Sequence, residues 1–259
     1  MPTRIKCKVA YDGTHFAVYQ VQPGKRTVQA ELEAALCKLH KGAAIRIAAS
    51  GRTDAGVHAK GQVFHFDTPL SIPADRWPVA LNSLLPADIA VDSAEVAEAD
   101  FHSRFDAKGK EYRYFILPES QRNPFWRNYA CLHPQALDVK RMEQAAQYVI
   151  GLHDFTSFCS AKTEVEDKVR NLTELEFIEE EGMLVIRFAG NGFLYNMVRI
   201  LAGTLLEVGR GERDPQEMKA ILEAKDRRLA GKTAPAQGLY LWRVDYEDSF
   251  MTTKPGVDK

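Results

Sequence analysis

Apolar residues alternate at Ile5, Cys7, Val9 and Tyr11, the period-two signature of a half-buried strand, and Asp12-Gly13 ends it. Thr27 then reads as a helix N-cap. Val28, Leu32, Ala35, Leu36 and Leu39 follow at helical spacing as far as Gly42. Ile45 and Ile47 predict a strand, and Val63-Phe64-His65-Phe66 predicts another. Residues 75–84 read as a short helix and Ile89 to Val96 as a strand. The order is strand, helix, strand, strand, helix, strand.

A similar order returns further along. Tyr112 to Leu117 reads as a strand, and Asp138 caps a helix expected from Val139 to Ile150. Leu172 to Ile178 and Leu184 to Phe188 read as strands joined around Glu181-Gly182. An apolar helix is expected from Tyr195 to Val208, and Asp214-Pro215 opens one running to Ala224. Leu239 to Tyr246 reads as a final strand. Two α+β halves follow, residues 1–106 and 107–259. Each is a ferredoxin-like split β-α-β unit, expected to share one mostly antiparallel sheet with helices on one face, around a central cleft. No internal repeat or low-complexity linker separates them, so the expectation is one continuous body.

Composition is that of an ordinary globular protein: 259 residues, 45% hydrophobic and 27% charged, with a formal net charge of −1. That mixture excludes a mostly disordered chain. Residues 1–130 hold 17 Lys/Arg against 14 Asp/Glu, and residues 131–259 hold 17 against 21, a mild asymmetry. Cys7, Cys37, Cys131 and Cys159 form no CxxC pair, so they read as free thiols in a reducing compartment rather than a zinc knuckle or disulfide frame. No stretch approaches the ~18 apolar residues of a membrane span, and the N-terminus carries no signal-like apolar core. The expectation is a cytoplasmic protein with no membrane partner.

No phosphate-binding glycine loop, HExxH, GxSxG or metal-ligand histidine spacing occurs, so neither metal nor cofactor is expected. His65, in an alternating strand, reads as a hydrogen-bonded structural imidazole. Three stretches suggest chemistry. In Ser50-Gly51-Arg52-Thr53-Asp54-Ala55-Gly56-Val57-His58-Ala59, two glycines force a sharp turn that holds Asp54 at its middle. Such an aspartate either caps the turn itself or is presented as nucleophile or base. Arg199 lies on an apolar helix, where its permanent charge requires a carboxylate partner or a path to solvent. From Phe101 to Tyr114, Arg104, Lys108, Lys110 and Arg113 interleave with Phe101, Phe105, Tyr112 and Tyr114. Cations for phosphates among rings for stacking suit RNA, although an edge strand with solvated charges has the same composition.

At these residues the chain resembles the bacterial tRNA pseudouridine synthase A family. SGRTDAGVHA at 50–59 is similar to that family's catalytic signature. Further matches are RTVQAELEAAL (26–36), QVFHF (62–66), FHSRF (101–105), KEYRY (110–114), HDFTSF (153–158), EDKVRN (166–171), MVRILAGTLLEVG (197–209) and GLYLWRVDY (238–246). One departure falls at residues 16–20, where the family pattern carries a glycine near Val18.

The resemblance implies a homodimer with a positively charged cleft. It implies cofactor-free conversion of uridine to pseudouridine in the tRNA anticodon stem-loop, at tRNA positions 38 to 40. Asp54 would be the catalytic aspartate, Arg199 its basic partner and Tyr112 a contact to the flipped uracil. Arg52 would help hold the base out of the stack. Phe101, His102, Ser103, Arg104, Phe105, Lys168 and Arg170 would meet the RNA. Two other readings remain at this point: a non-catalytic RNA-binding or chaperone protein on the same fold, and a glycosidase-like hydrolase using Asp54.

Overall fold

A computed structural model of the chain describes residues 2–161, 163 and 165–247. It divides into two compact units, the first running to Lys108 and taking back Tyr240–Glu247, the second covering Gly109–Leu239. The architecture is mixed α+β with mostly antiparallel strand pairing.

In the first unit, β1 (Thr3–Tyr11) buries Ile5, Cys7, Val9 and Tyr11, as their alternation predicts. Helix α1 (Val28–Leu39) starts where Thr27 caps it, its side chain accepting the Ala30 amide at 3.3 Å. The strand expected at Ile45 and Ile47 does not form. Only Ala48–Ala49 (β2) pair, with His65 and Phe64. The Ile47 amide instead donates to the Glu33 carboxylate on α1 at 3.3 Å, so that backbone is held by a side chain and not by a ladder. Strand β3 (His58–Thr68) is longer than expected and runs antiparallel to β1. Helix α2 (Trp77–Asn82) follows a single 3-10 turn, and β4 (Ile89–Ala97) covers the other side of β1. Phe64, Phe66, Leu32, Leu36, Trp77 and Leu81 form the fully buried core. Burying each such side chain contributes about 1.5–3 kcal/mol.

The second unit begins with β5 (Gly109–Leu117) and its short parallel neighbour β6 (Cys131–Leu132), which the sequence did not suggest. Helix α3 (Val139–Ala146) is capped by Asp138 but stops four residues early. Tyr148 and Val149 donate to carbonyls three residues back, tightening the chain out of α-geometry before β7 (Gly151–Asp154), also unexpected. Strands β8 (Val169–Glu180) and β9 (Met183–Gly190) form a hairpin whose corner residues, Glu181 and Gly182, have φ of 50° and 76°. Two positive values at a two-residue turn match the right-handed strand twist. Strand order here is β5, β9, β8, β7. Helix α4 (Met197–Gly209) has only Arg199 and Glu207 outside the buried set. Helix α5 (Glu217–Ala224) starts three residues later than expected, because Glu217 and Met218 donate to Asp214 and Pro215 in a tighter turn. Strand β10 (Leu239–Asp245) returns to the first unit and runs parallel to β3, placing Tyr240 opposite His58.

A segment from Ala230 to Ala234 lies along α4. Gly231 donates its amide to Thr204 Oγ1 at 2.9 Å, Lys232 donates its amide to the Glu207 carboxylate at 3.0 Å, and Ala234 donates its amide to the Arg199 carbonyl at 3.0 Å. A Cβ on Gly203 would stand 1.8 Å from the Lys232 carbonyl oxygen. Glycine-to-alanine inside a helix ordinarily stabilises by ~1 kcal/mol. Here the clash is with backbone, so overpacking decides the sign, and Gly203→Ala lowers stability by about 1–3 kcal/mol. Urea unfolding followed by circular dichroism measures it; a raised midpoint would show that the segment yields without cost.

Candidate active site

Residues 50–57 are wired at both ends of the turn that carries Asp54. Gln62 on β3 is fully buried. Its Oε1 accepts the Ser50 hydroxyl at 2.6 Å, and its Nε2 donates to the Gly51 carbonyl at 3.0 Å. Thr53 shares a 2.8 Å hydrogen bond with the Tyr11 hydroxyl, and its carbonyl accepts the Tyr19 amide at 3.1 Å. Burial pushes the Tyr11 hydroxyl pKa well up, so it stays protonated. Val57 closes the turn by donating its amide to the Asp54 carbonyl at 3.1 Å, and Gly56 takes φ of 74°. The next residue, His58, accepts the Gly13 amide on Nδ1 at 3.0 Å and stacks on Tyr240 at 4.6 Å. The Asp54 side chain is half-buried and Arg52 is exposed. Val18, where the family pattern has glycine, forms a bridge to Thr27 with no positive φ, so its side chain fits without strain.

The Phe101–Asp106 turn is the second candidate surface, also in the first unit. Ser103 is fully buried at its centre, whereas Arg104 and Phe105 are exposed, Phe105 to 74%. His102 accepts the Arg104 amide at 3.1 Å and packs against the Phe105 ring at 4.3 Å. Phe101 packs against Tyr246 at 5.1 Å, with Lys6 over both rings. His65, as its strand position suggests, is a hydrogen-bonded buried imidazole. Burial, helped by the charge of Arg4 and by His102, lowers its pKa to about 4 against the opposing pull of Asp67 and Asp106.

In the second unit the loop 191–196 gathers three candidates. Phe193 meets the Tyr112 ring edge-on at 5.0 Å, and Tyr112 is nearly buried on β5. Gly192 lies beside the Arg170 side chain. Asn196, in the left-handed region with φ of 62°, accepts Arg199 Nη1 on Oδ1 at 3.1 Å, while Arg199 Nε donates to the Ala234 carbonyl at 2.8 Å. Arg170 also donates to the Asp167 and Val169 carbonyls, at 3.1 and 2.6 Å. The Lys168 carbonyl accepts the Phe155 amide at 3.0 Å. Sequence reasoning missed Gln62, Phe193 and Asn196. Gln62 alone left a trace, as a polar residue leading a run of apolar ones.

Among the described residues no group of three or more His, Cys, Asp or Glu side chains is arranged to hold a metal ion, and no helix is long and apolar enough to cross a membrane. The four cysteines are free. Burial pushes the Cys7 thiol up to about 12, leaving it unreactive.

Residues 8–106 and 145–247 match the family described as tRNA pseudouridine synthase, and the chain belongs to that family. Proteins named tRNA pseudouridine synthase A are similar over nearly the whole chain. The one from Geobacillus kaustophilus (strain HTA426) is 58% identical over 248 residues, 96% of each chain. Those from Bacillus pumilus (strain SAFR-032) and Bacillus subtilis (strain 168) are 61% and 60% identical over 246 residues, 95% of this chain and 100% of theirs. The protein is thus an isomerase that makes pseudouridine in tRNA.

Replacing Gln62 tests the wiring of the signature turn. Gln62→Leu removes the hydrogen bonds to the buried Ser50 hydroxyl and the half-buried Gly51 carbonyl, at about 0.5–1.5 kcal/mol each. Amide exchange at Tyr19 and Val57 accelerates in native-state hydrogen-exchange experiments, ahead of the β1 amides. Unchanged protection at both positions would show that Gln62 does not hold the turn.

Proposed function

We propose that this protein isomerises uridines in the tRNA anticodon stem-loop, at tRNA positions 38 to 40, with Asp54 as the catalytic carboxylate. The observation that carries this reading is the turn itself. Its backbone and flanking side chains are tied to Gln62, Tyr11 and Tyr19, and the half-buried Asp54 opens the tight turn that Val57 closes. A fixed carboxylate of that kind suits a reaction that must meet its substrate in one geometry.

The chemistry conserves every atom. The uracil N1–C1′ bond breaks, a C5–C1′ bond forms, and the proton on C5 passes to N1. No redox change occurs, so the reaction makes no demand for an electron carrier. The target base has to leave the helical stack, at a few kcal/mol, before either bond is reachable. Exposed Arg52 beside Asp54 supports a role in holding the base out. Tyr112, with its ring fixed by Phe193, suits an aromatic contact to the flipped uracil. Arg199 is assigned as the basic partner of Asp54, whether Asp54 acts at the sugar C1′, at uracil C6 or on the 2′ proton. Phe101, His102, Ser103, Arg104 and Phe105, with Lys168 and Arg170, are assigned to the RNA surface. A cytoplasmic homodimer completes the reading, since two copies double the basic surface that one chain offers.

Asp54→Ala abolishes pseudouridine formation in anticodon stem-loop uridines, read by nucleoside analysis of treated tRNA, while tRNA binding persists. Survival of pseudouridine there would reject the assignment of Asp54. Release of free uracil by the unaltered protein would replace isomerisation with hydrolysis. Binding without any modified nucleoside would favour a non-catalytic RNA-binding protein.

Salt gives a separate check. If six phosphates are neutralised, affinity falls by about 10³-fold between 50 and 200 mM salt. A flat salt response in a filter-binding titration would reject a segregated basic surface on this nearly neutral chain.

A further inference from the structure

The Phe101–Asp106 turn is held far more tightly than an exposed surface turn requires. Ser103 is gripped on all three of its polar atoms. His65 Nδ1 accepts its backbone amide at 3.1 Å and lies 2.9 Å from its hydroxyl. The Tyr246 hydroxyl donates to its carbonyl at 2.8 Å. Two residues earlier, Arg4 donates to the Phe101 carbonyl at 2.8 Å while its fork stays on Asp67. Asp106 closes the loop by accepting the His102 amide at 2.7 Å. The grips come from both strands that frame the turn's floor, β1 and β3, and from the residue after β10.

Everything this network fixes points to two side chains that it leaves outside. Phe105 shows 74% of its surface, and the Arg104 guanidinium stands 5.9 Å from the Phe105 ring centre. A large exposed ring on a turn with almost no freedom contributes nothing to the core. Rigidity at such a place serves binding, because a contact ordered in advance costs less entropy when the ligand arrives.

We infer that His65 and Tyr246 are positioning residues for substrate binding: by holding Ser103 they fix the turn so that Phe105 and Arg104 meet the RNA as a preformed stacking ring and cation. The inference rests on the reading that this turn faces RNA, and it adds the buried His65 and the half-buried Tyr246 that make it competent. Neither touches the reacting atoms, so their effect falls on KM and not on kcat. His65 works as a neutral acceptor on Nδ1. Asparagine, whose Oδ1 occupies nearly the same place, replaces it; leucine does not.

The test is steady-state kinetics with tRNA on five variants. Phe105→Ala and Arg104→Ala first establish the surface: loss of a stacked ring raises KM by about 5- to 100-fold. His65→Leu then raises KM by about tenfold with kcat unchanged, the scale of one or two side chains that have to be ordered on binding. His65→Asn restores KM, and Tyr246→Phe, which deletes one hydroxyl and spares the packing, raises it in the same direction. A normal KM in Tyr246→Phe and in folded His65→Leu, with Phe105→Ala impaired, overturns the positioning role while leaving the RNA surface in place. A normal KM in both Phe105→Ala and Arg104→Ala overturns the surface and the inference with it. A fall in kcat without a rise in KM overturns it as well. If His65→Leu does not fold, Tyr246→Phe and His65→Asn decide.

Discussion

A strand buried on both faces can carry polar side chains only if each finds a partner inside, and β3 is built on that constraint. His58, Gln62, His65 and Thr68 all lie out of water on it. An unpaired polar group there would cost about 1–3 kcal/mol. Each finds its partner in a different piece of irregular chain. His58 takes the Gly13 amide, Gln62 takes Ser50 and Gly51, His65 takes Ser103, and Thr68 takes His40 at the end of α1 at 2.7 Å. Loops that would otherwise wander are thereby registered against one rigid element. The buried polarity of β3 is a cost to the core and a gain in precision at the surface.

The second unit solves the same problem with a helix. Helix α4 is buried almost all round, and its two polar exceptions are both answered by the segment that lies along it. Glu207 accepts the Lys232 amide and the Arg213 guanidinium, while Arg199 shares two hydrogen bonds with Ala234. Arg199 is also held by Asn196, so the residue that opens the helix and the strap that covers it converge on one guanidinium. A planar fork of five donors needs several oxygens placed around it. The left-handed backbone at Asn196 is the local device that puts one of them there.

Much of this was legible in the sequence, for identifiable reasons. Period two marked β1 because one of its faces is buried and the other is not. Thr27 and Asp138 marked helix starts because capping is a local interaction. The strand read at Ile45 and Ile47 failed because alternation reports burial, and Ile47 is buried, with Ile45 half-buried, without a neighbouring strand to pair with. The early end of α3 was invisible because Val149 stays fully buried after the helix tightens, so the apolar spacing runs on past the last α-helical bond. The Asp54 turn announced itself through glycines and a carboxylate. Phe193 and Asn196 act by meeting a residue far along the chain and by an unusual backbone state, and neither leaves a pattern in neighbouring residues.

The return of β10 to the first unit has a consequence for how the molecule is made. Strand β3 lies between β1 and β10, and β10 follows more than a hundred residues of the second unit. During synthesis the β3 edge therefore stays open while the whole second unit emerges and folds. The Ser103 carbonyl likewise waits for Tyr246. An exposed parallel edge on a nascent chain invites pairing with the wrong strand. Its occupancy by β10 makes completion of the first unit one of the last events of biosynthesis, so a polypeptide stalled before residue 239 would carry the aspartate turn on a unit that cannot close.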